Sequence, residues 1–86
     1  MEIKYSKYAL KFLAKANKST VKRVVEAVHG LTLKPPIGDI KVMQGYNDGR
    51  QRLRVGKYRV IYKYDVDGNI EIVYIIDIGS RGDIYK

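Results

Sequence analysis

The chain has 86 residues, 45% of them hydrophobic, with no cysteine and a single histidine. That describes one small domain with a thin core, and it excludes disulfide scaffolds, cysteine–zinc sites, thiol chemistry and histidine-rich metal sites. Its 17 Lys and Arg against 9 Asp and Glu leave a net charge of +8, which favours a polyanionic partner: RNA, DNA, acidic lipid or an acidic protein.

No apolar run approaches the roughly 18 residues that would span a bilayer. The N-terminus lacks the apolar core of a signal peptide. The expected location is therefore the cytoplasm, with no membrane partner. No internal repeat or linker divides the chain, so residues 1–86 read as one domain.

Glu2-Ile3-Lys4-Tyr5-Ser6 alternates at period two and predicts a short strand. Ser6 is placed to cap a helix over Lys7–Ala16, in which Ala9, Leu10, Leu13 and Ala14 recur at helical spacing beside Phe12. Ser19 or Thr20 is expected to cap a second helix reaching about Leu31, with Val21, Val24, Val25 and Val28 as its apolar stripe. Lys34-Pro35-Pro36 stops it. The period then changes. Arg50–Val55, Lys57–Asp65 and Ile70–Ile78 predict three strands, joined by Gly56-Lys57 and by the Asp67-Gly68 hairpin signal. The order β-α-α-β-β-β predicts an α+β layer, with the helices on one face of an antiparallel sheet and the other face free.

Alternation assigns the faces. Arg50, Arg52 and Arg54 point one way, and Leu53 and Val55 point toward the helices. Tyr58, Val60, Tyr62 and Tyr64 share the core-facing row, leaving Arg59, Ile61 and Lys63 outside. In the last strand, Ile70, Ile72, Tyr74, Ile76 and Ile78 form an apolar row expected in the core. Glu71, Val73, Ile75 and Asp77 lie opposite, with Arg81 beyond them on the same side. Six cations, Arg50, Arg52, Arg54, Arg59, Lys63 and Arg81, are thus expected on the free face. The stretch between residues 40 and 63 also carries Lys41 and Lys57, against one acid, Asp48. Like charges on adjacent strands weaken a sheet. Guanidinium forks suit bidentate phosphate contact, so the cluster points to nucleic acid rather than to a merely solvated face.

The run Arg52-Leu-Arg-Val-Gly-Lys-Tyr-Arg59-Val-Ile-Tyr62, with Ile78-Gly-Ser-Arg81-Gly-Asp-Ile-Tyr85 after the hairpin, resembles the RelE family of bacterial and archaeal toxins, within the RelE/ParE superfamily. The resemblance spans nearly the whole chain, and the Gly-x-Arg-x-x-x-Tyr ending is similar to the ribonuclease branch. It implies a toxin that enters the ribosomal A site and cuts mRNA there. The ribose 2′-OH would attack the adjacent phosphate, leaving a 2′,3′-cyclic phosphate and a free 5′-OH. It also implies a cognate antitoxin that wraps the toxin and blocks the basic face. By the same resemblance Arg59 stabilises the phosphate, Arg81 serves the leaving oxygen and Tyr85 stacks on or orients the nucleotide. Arg50 and Arg52 match basic positions that are lysines in the best-known member, one of them the proposed general base. Arginine does not readily deprotonate, so here the base is another group, or alignment and charge stabilisation carry the rate. Tyr85, Asp83 and water remain open for that role. Gln44, before Gly45, stands where relatives often place a basic residue.

Other features have simpler readings. Asp65-Val-Asp67-Gly-Asn69-Ile-Glu71 lacks the sixth-position glycine and twelfth-position carboxylate of a calcium loop, and reads as a hairpin. His29 falls near a helix end, where it caps or meets solvent. Lys7, Lys11 and Lys15, with Lys18 and Lys22, form a solvated stripe able to touch ribosomal RNA without sequence choice. Tyr46 and Tyr85 are the tyrosines free to stack on bases.

Together with that resemblance, the sequence predicts a metal-independent, ribosome-dependent mRNA endoribonuclease with no small-molecule cofactor. Arg59, Arg81, Tyr85, Arg52 and Arg50 are its catalytic candidates, and Arg54, Lys63, Lys57 and Lys41 contact RNA. A ParE-like inhibitor of DNA gyrase, or a catalytically decayed module that keeps only RNA or antitoxin affinity, are the alternatives.

Overall fold

The computed structural model describes residues 1–80. In chain order it contains β1 (Glu2–Tyr5), α1 (Lys7–Lys15), α2 (Lys18–Gly30), β2 (Asp39–Val42), β3 (Gln51–Val55), β4 (Tyr58–Asp67) and β5 (Ile70–Ser80). The five strands form one sheet in the order β1-β5-β4-β3-β2, with β1 parallel to β5 and the other pairs antiparallel. This is the α+β arrangement the sequence predicts, with one strand added. No element is predicted over residues 39–42, where β2 lies. Its four residues alternate polar and apolar, but so short a run after two prolines carries little signal, and pairing with β3 is what orders it.

Local chemistry sets the helix starts. Ser6, in extended conformation, accepts a hydrogen bond on Oγ from the Ala9 N–H at 3.1 Å and so caps α1 as predicted. Its own N–H donates to the Ile75 carbonyl at 2.9 Å, which fastens the start of the helix to the sheet. The cap of α2 is Asn17 rather than Ser19 or Thr20. Its Oδ1 accepts from the Thr20 N–H and the Ser19 hydroxyl, both at 2.9 Å. Asparagine caps as well as serine does, and capping there gains the helix an extra half turn. At the other end, the Tyr64 hydroxyl donates to the Leu31 carbonyl at 2.8 Å and ties the helix terminus to β4.

The core lies between the helices and one sheet face. Ala9 of α1 and Val24, Val28 and Leu31 in or just after α2 pack on Leu53, Val60, Tyr62, Val73, Ile75 and Ile78. Each large apolar side chain so buried contributes roughly 1.5–3 kcal/mol. The inward stripe of α1 runs Ala9, Phe12, Leu13, with Phe12 edge-on to Tyr58 at 5.5 Å. Leu10, expected in that stripe, is 53% exposed, and Ala14 faces solvent beside it. The helix turns on Ala9 and Phe12, so residues one position off that line fall outside.

The predicted inward row of β5 is corrected as well. Ile61 pairs with Asp77, yet the next residue, Tyr62, pairs with Ile75, so Ile76 is an extra, bulged residue. One inserted residue inverts the alternation on one side of it. Val73 and Ile75 therefore face the helices before the bulge and Ile78 after it. Ile70, Ile72 and Tyr74 belong to the opposite face, where Ile70 is 47% exposed. That face is not wholly open, because Ile61 and Ile72 are buried on it.

Candidate nucleic-acid interface

The β3–β4 hairpin turns through Gly56, at φ 60°, and Lys57, with Val55 paired to Tyr58. The register carries the arginines. Arg54 lies directly opposite Arg59, Arg52 opposite Ile61, and Lys41 of β2 opposite Arg52. Lys63 follows two residues along β4, paired with Tyr74. Arg52, Arg54, Arg59 and Lys63 thus share the face away from the helices, as predicted; Lys41 of β2 joins them through its pairing with Arg52, and Arg50 immediately precedes β3. Lys57 does not join them. It sits in the exposed turn with its ammonium 5.5 Å from the ring of Tyr58, a residue of the core-facing row. From the helical layer, Arg23 reaches the same turn: a Cβ on Gly56 would lie 2.6 Å from its guanidinium. Sequence reasoning missed Arg23, because helical spacing shows only that it leaves the core.

The arginines differ in how they are held. Arg59 is only 6% exposed, and its guanidinium donates to the carbonyls of Tyr58 at 3.2 Å and Gly56 at 3.5 Å. It is fixed by its own hairpin with no carboxylate among these partners. Arg50 is locked to Asp48 by several contacts, the shortest 2.8 Å from its Nη2. Its guanidinium also lies 4.2 Å from the centre of the Tyr46 ring. The hydrogen bonds from Arg50 hold the Asp48 carboxyl down to about 2, and the Asp48 carboxylate in turn raises the pKa of Arg50. Arg50 is therefore further still from acting as a base.

Arg52 and Arg54 share one acid. Arg52 Nη2 lies 3.3 Å from one oxygen of Asp39, and Arg54 Nε lies 3.3 Å from the other. Asp39 falls one residue outside the basic stretch 40–63, and only the β2–β3 pairing brings it opposite Arg54. Surface pairs of this kind contribute roughly 0–1 kcal/mol. Asp77 also reaches this face, opposite Ile61, with its carboxylate accepting from the Ile78 N–H at 2.9 Å. Among the described residues, no three carboxylate or imidazole groups come together as metal ligands, and no helix is long and apolar enough to cross a membrane. His29 is exposed at the end of α2. Arg81, Asp83 and Tyr85 lie outside the described residues.

The chain belongs to the family described as the ParE toxin of type II toxin–antitoxin system, parDE, whose model matches residues 3–85. It is thus a toxin of the RelE/ParE superfamily. Among solved structures it is similar to RelE in an archaeal RelE–RelB complex from Pyrococcus horikoshii, with 28% identity over 95% of this chain and 96% of that one, at a TM-score of 0.71. The YoeB/ParE toxin from Agrobacterium tumefaciens superposes at a TM-score of 0.76 with 14% identity, over 94% of this chain and 99% of that one. The isolated Escherichia coli RelE toxin superposes at 0.66 with 23% identity, over 98% and 89%. These last two share the fold. No curated protein sequence matches significantly.

Proposed function

We propose that this toxin is a ribosome-dependent mRNA endoribonuclease that cuts in the A site by 2′-OH attack and so stops translation. The observation that carries the reading is the set of guanidiniums on adjacent strands, Arg54 opposite Arg59 with Arg52 beside them, on the face the helices leave free. Directly opposed like charges are a cost to the sheet, and an anionic ligand removes it. Arg59, buried and held by two carbonyls, is pre-organised to stabilise charge building on the scissile phosphate with little reorganisation. Arg52 faces the same phosphate, while Arg54, Lys41 and Lys63 position the RNA backbone. Lys57, in the exposed turn, contacts RNA from the rim. Arg50, already neutralised by Asp48, contributes a guanidinium–Tyr46 plane for stacking rather than proton transfer. Arg81 serves the leaving oxygen and Tyr85 orients the nucleotide.

With no arginine able to act as base, the 2′-OH proton goes to another group or to water, and alignment and charge stabilisation contribute to the rate. Cationic side chains provide the charge stabilisation that a metal ion provides elsewhere. The natural partner is a cognate antitoxin of RelB type whose acidic segment crosses the arginine face, and the site of action is the cytoplasm. The similarity to RelE from P. horikoshii supports this branch. The ParE description of the matched family favours a second reading, inhibition of DNA gyrase through protein contacts.

Parallel assays separate the two. The purified toxin is added to a cell-free translation reaction and to a gyrase supercoiling reaction. Arrest of translation with supercoiling untouched is the expected result. Blocked supercoiling with translation intact would assign the toxin to the gyrase branch.

A further inference from the structure

The two acids that meet the arginine face hold their partners differently. Asp48 grips Arg50 with contacts down to 2.8 Å. Asp39 touches Arg52 and Arg54 once each, both at 3.3 Å, beyond the usual length of a charge-assisted hydrogen bond. Asp39 is also 54% exposed, on the edge strand β2, and its two oxygens are shared between two guanidiniums as two oxygens of a phosphate would be. Arg52, by contrast, is largely enclosed, and its Nε is buried with no hydrogen-bond partner. A carboxylate that touches one nitrogen of that guanidinium leaves most of its five N–H donors unused. A phosphodiester has the charge and the oxygen spacing to use them.

We propose that Asp39 is a displaceable internal counter-ion of the RNA-phosphate site, occupying in the free toxin the place where a phosphodiester bridges Arg52 and Arg54. The inference rests on the nucleic-acid reading of this face and adds a regulator to it. In the free protein Asp39 relieves the repulsion among Arg52, Arg54 and Arg59 and keeps the two forks in register. On binding, the phosphate takes over both guanidiniums and the Asp39 side chain swings out to solvent, which its position at the sheet edge allows. Asp39 thus lowers affinity for any stray polyanion and reserves tight binding for RNA presented with its phosphate in place. Asp48 plays no such part, because its bidentate grip on Arg50 is the stronger.

The test compares the full-length toxin with Asp39→Asn, and with Asp67→Asn as a control of equal charge change. Asp67 lies at the tip of the β4–β5 hairpin, eight residues along β4 from Arg59, or about 26 Å at strand rise and well beyond a Debye length. The probe is a short single-stranded RNA with 2′-O-methyl riboses, which cannot be cut, followed by fluorescence anisotropy at about 0.15 M salt. Asp39→Asn is expected to bind about three- to tenfold tighter than wild type, and Asp67→Asn within twofold of it. Arg52→Ala should abolish the gain. Asp39→Ser, a second neutral variant that suits an edge strand, should behave as Asp39→Asn does. Thermal melts accompany each variant. With RNA present, the melting temperature lost by Asp39→Asn in its absence should be regained. Equal tightening by Asp39→Asn and Asp67→Asn would reduce Asp39 to a contribution to net charge and overturn the inference while leaving the RNA site standing. A gain toward a polyglutamate peptide but not toward the RNA would overturn it in favour of an acidic protein ligand. If RNA binding is unmoved by Arg52→Ala, or absent in every form, the nucleic-acid reading falls and the inference falls with it.

Discussion

Arg59 offers the sharpest separation between function and stability. Substitution by methionine keeps an unbranched, largely apolar stem and removes the guanidinium with its charge. Two unit charges about 8 Å apart repel by about 2 kcal/mol at an effective dielectric near 20. Arg54 is half exposed and shares Asp39, which discounts the repulsion between the opposed pair to about 1 kcal/mol. Against that relief stand two hydrogen bonds to carbonyls, one at 3.2 Å and one at 3.5 Å. Only the first is close to good geometry, and such a bond is worth about 1 kcal/mol. Burial of the apolar methionine in a site 6% exposed adds about 1 kcal/mol in favour of the variant. Arg59→Met should therefore be as stable as wild type or about 1 kcal/mol more stable, a rise of about 4–8 °C at most. Cleavage on programmed ribosomes should fall about 10²–10³-fold, the cost of removing one pre-organised donor from a developing anion. Thermal melts followed by circular dichroism and a cleavage time course read the two effects. A double-mutant cycle with Arg54→Met should show that the second substitution stabilises less than the first. A variant that loses more than about 2 kcal/mol while cleaving at the wild-type rate would make Arg59 a structural residue and refute the argument.

The Asp48–Arg50 clamp carries a pH signature. Asp48 is held below its ordinary range of about 4, to about 2, so its contribution is complete above pH 4 and is lost as pH falls toward 2. The melting-temperature gap between wild type and Asp48→Asn should be full at pH 6 and close between about pH 4 and pH 2, and a gap constant over that range would contradict the clamp. The β5 bulge predicts a contrast between two isoleucines. Ile75→Ala should cost about 2–5 kcal/mol in urea unfolding, and Ile70→Ala about 0.5 kcal/mol or less. The reverse ranking would restore the unbulged alternation.

That contrast marks where the sequence stops being legible. Helix spacing, the Ser6 cap, the β3–β4 hairpin and the arginine alternation on β3 and β4 are all local, and local periodicity reveals them. The bulge at Ile76 is local too, but Ile70, Ile72, Tyr74, Ile76 and Ile78 form an unbroken apolar pattern that hides it, while the core is completed by Val73 and Ile75 from the other row. β2 is invisible for another reason: its four residues are strand only because β3 offers them an edge. The site follows the same division. Arg52, Arg54 and Arg59 converge by parity alone, which can be read along the chain. Asp39 across from Arg54, and Arg23 against the Gly56 turn, depend on pairing and packing between distant segments.

The account turns on RNA cleavage at the ribosome, and end-mapping tests it most directly. A defined mRNA is incubated with purified toxin, with and without ribosomes stalled at a known codon, and the new 5′ ends are located by primer extension. The account predicts cuts only with ribosomes, in register with the A-site codon, with a 5′-OH on the downstream fragment and a 2′,3′-cyclic phosphate on the upstream one. Intact mRNA in both reactions, from a toxin that is folded and arrests growth, would contradict it.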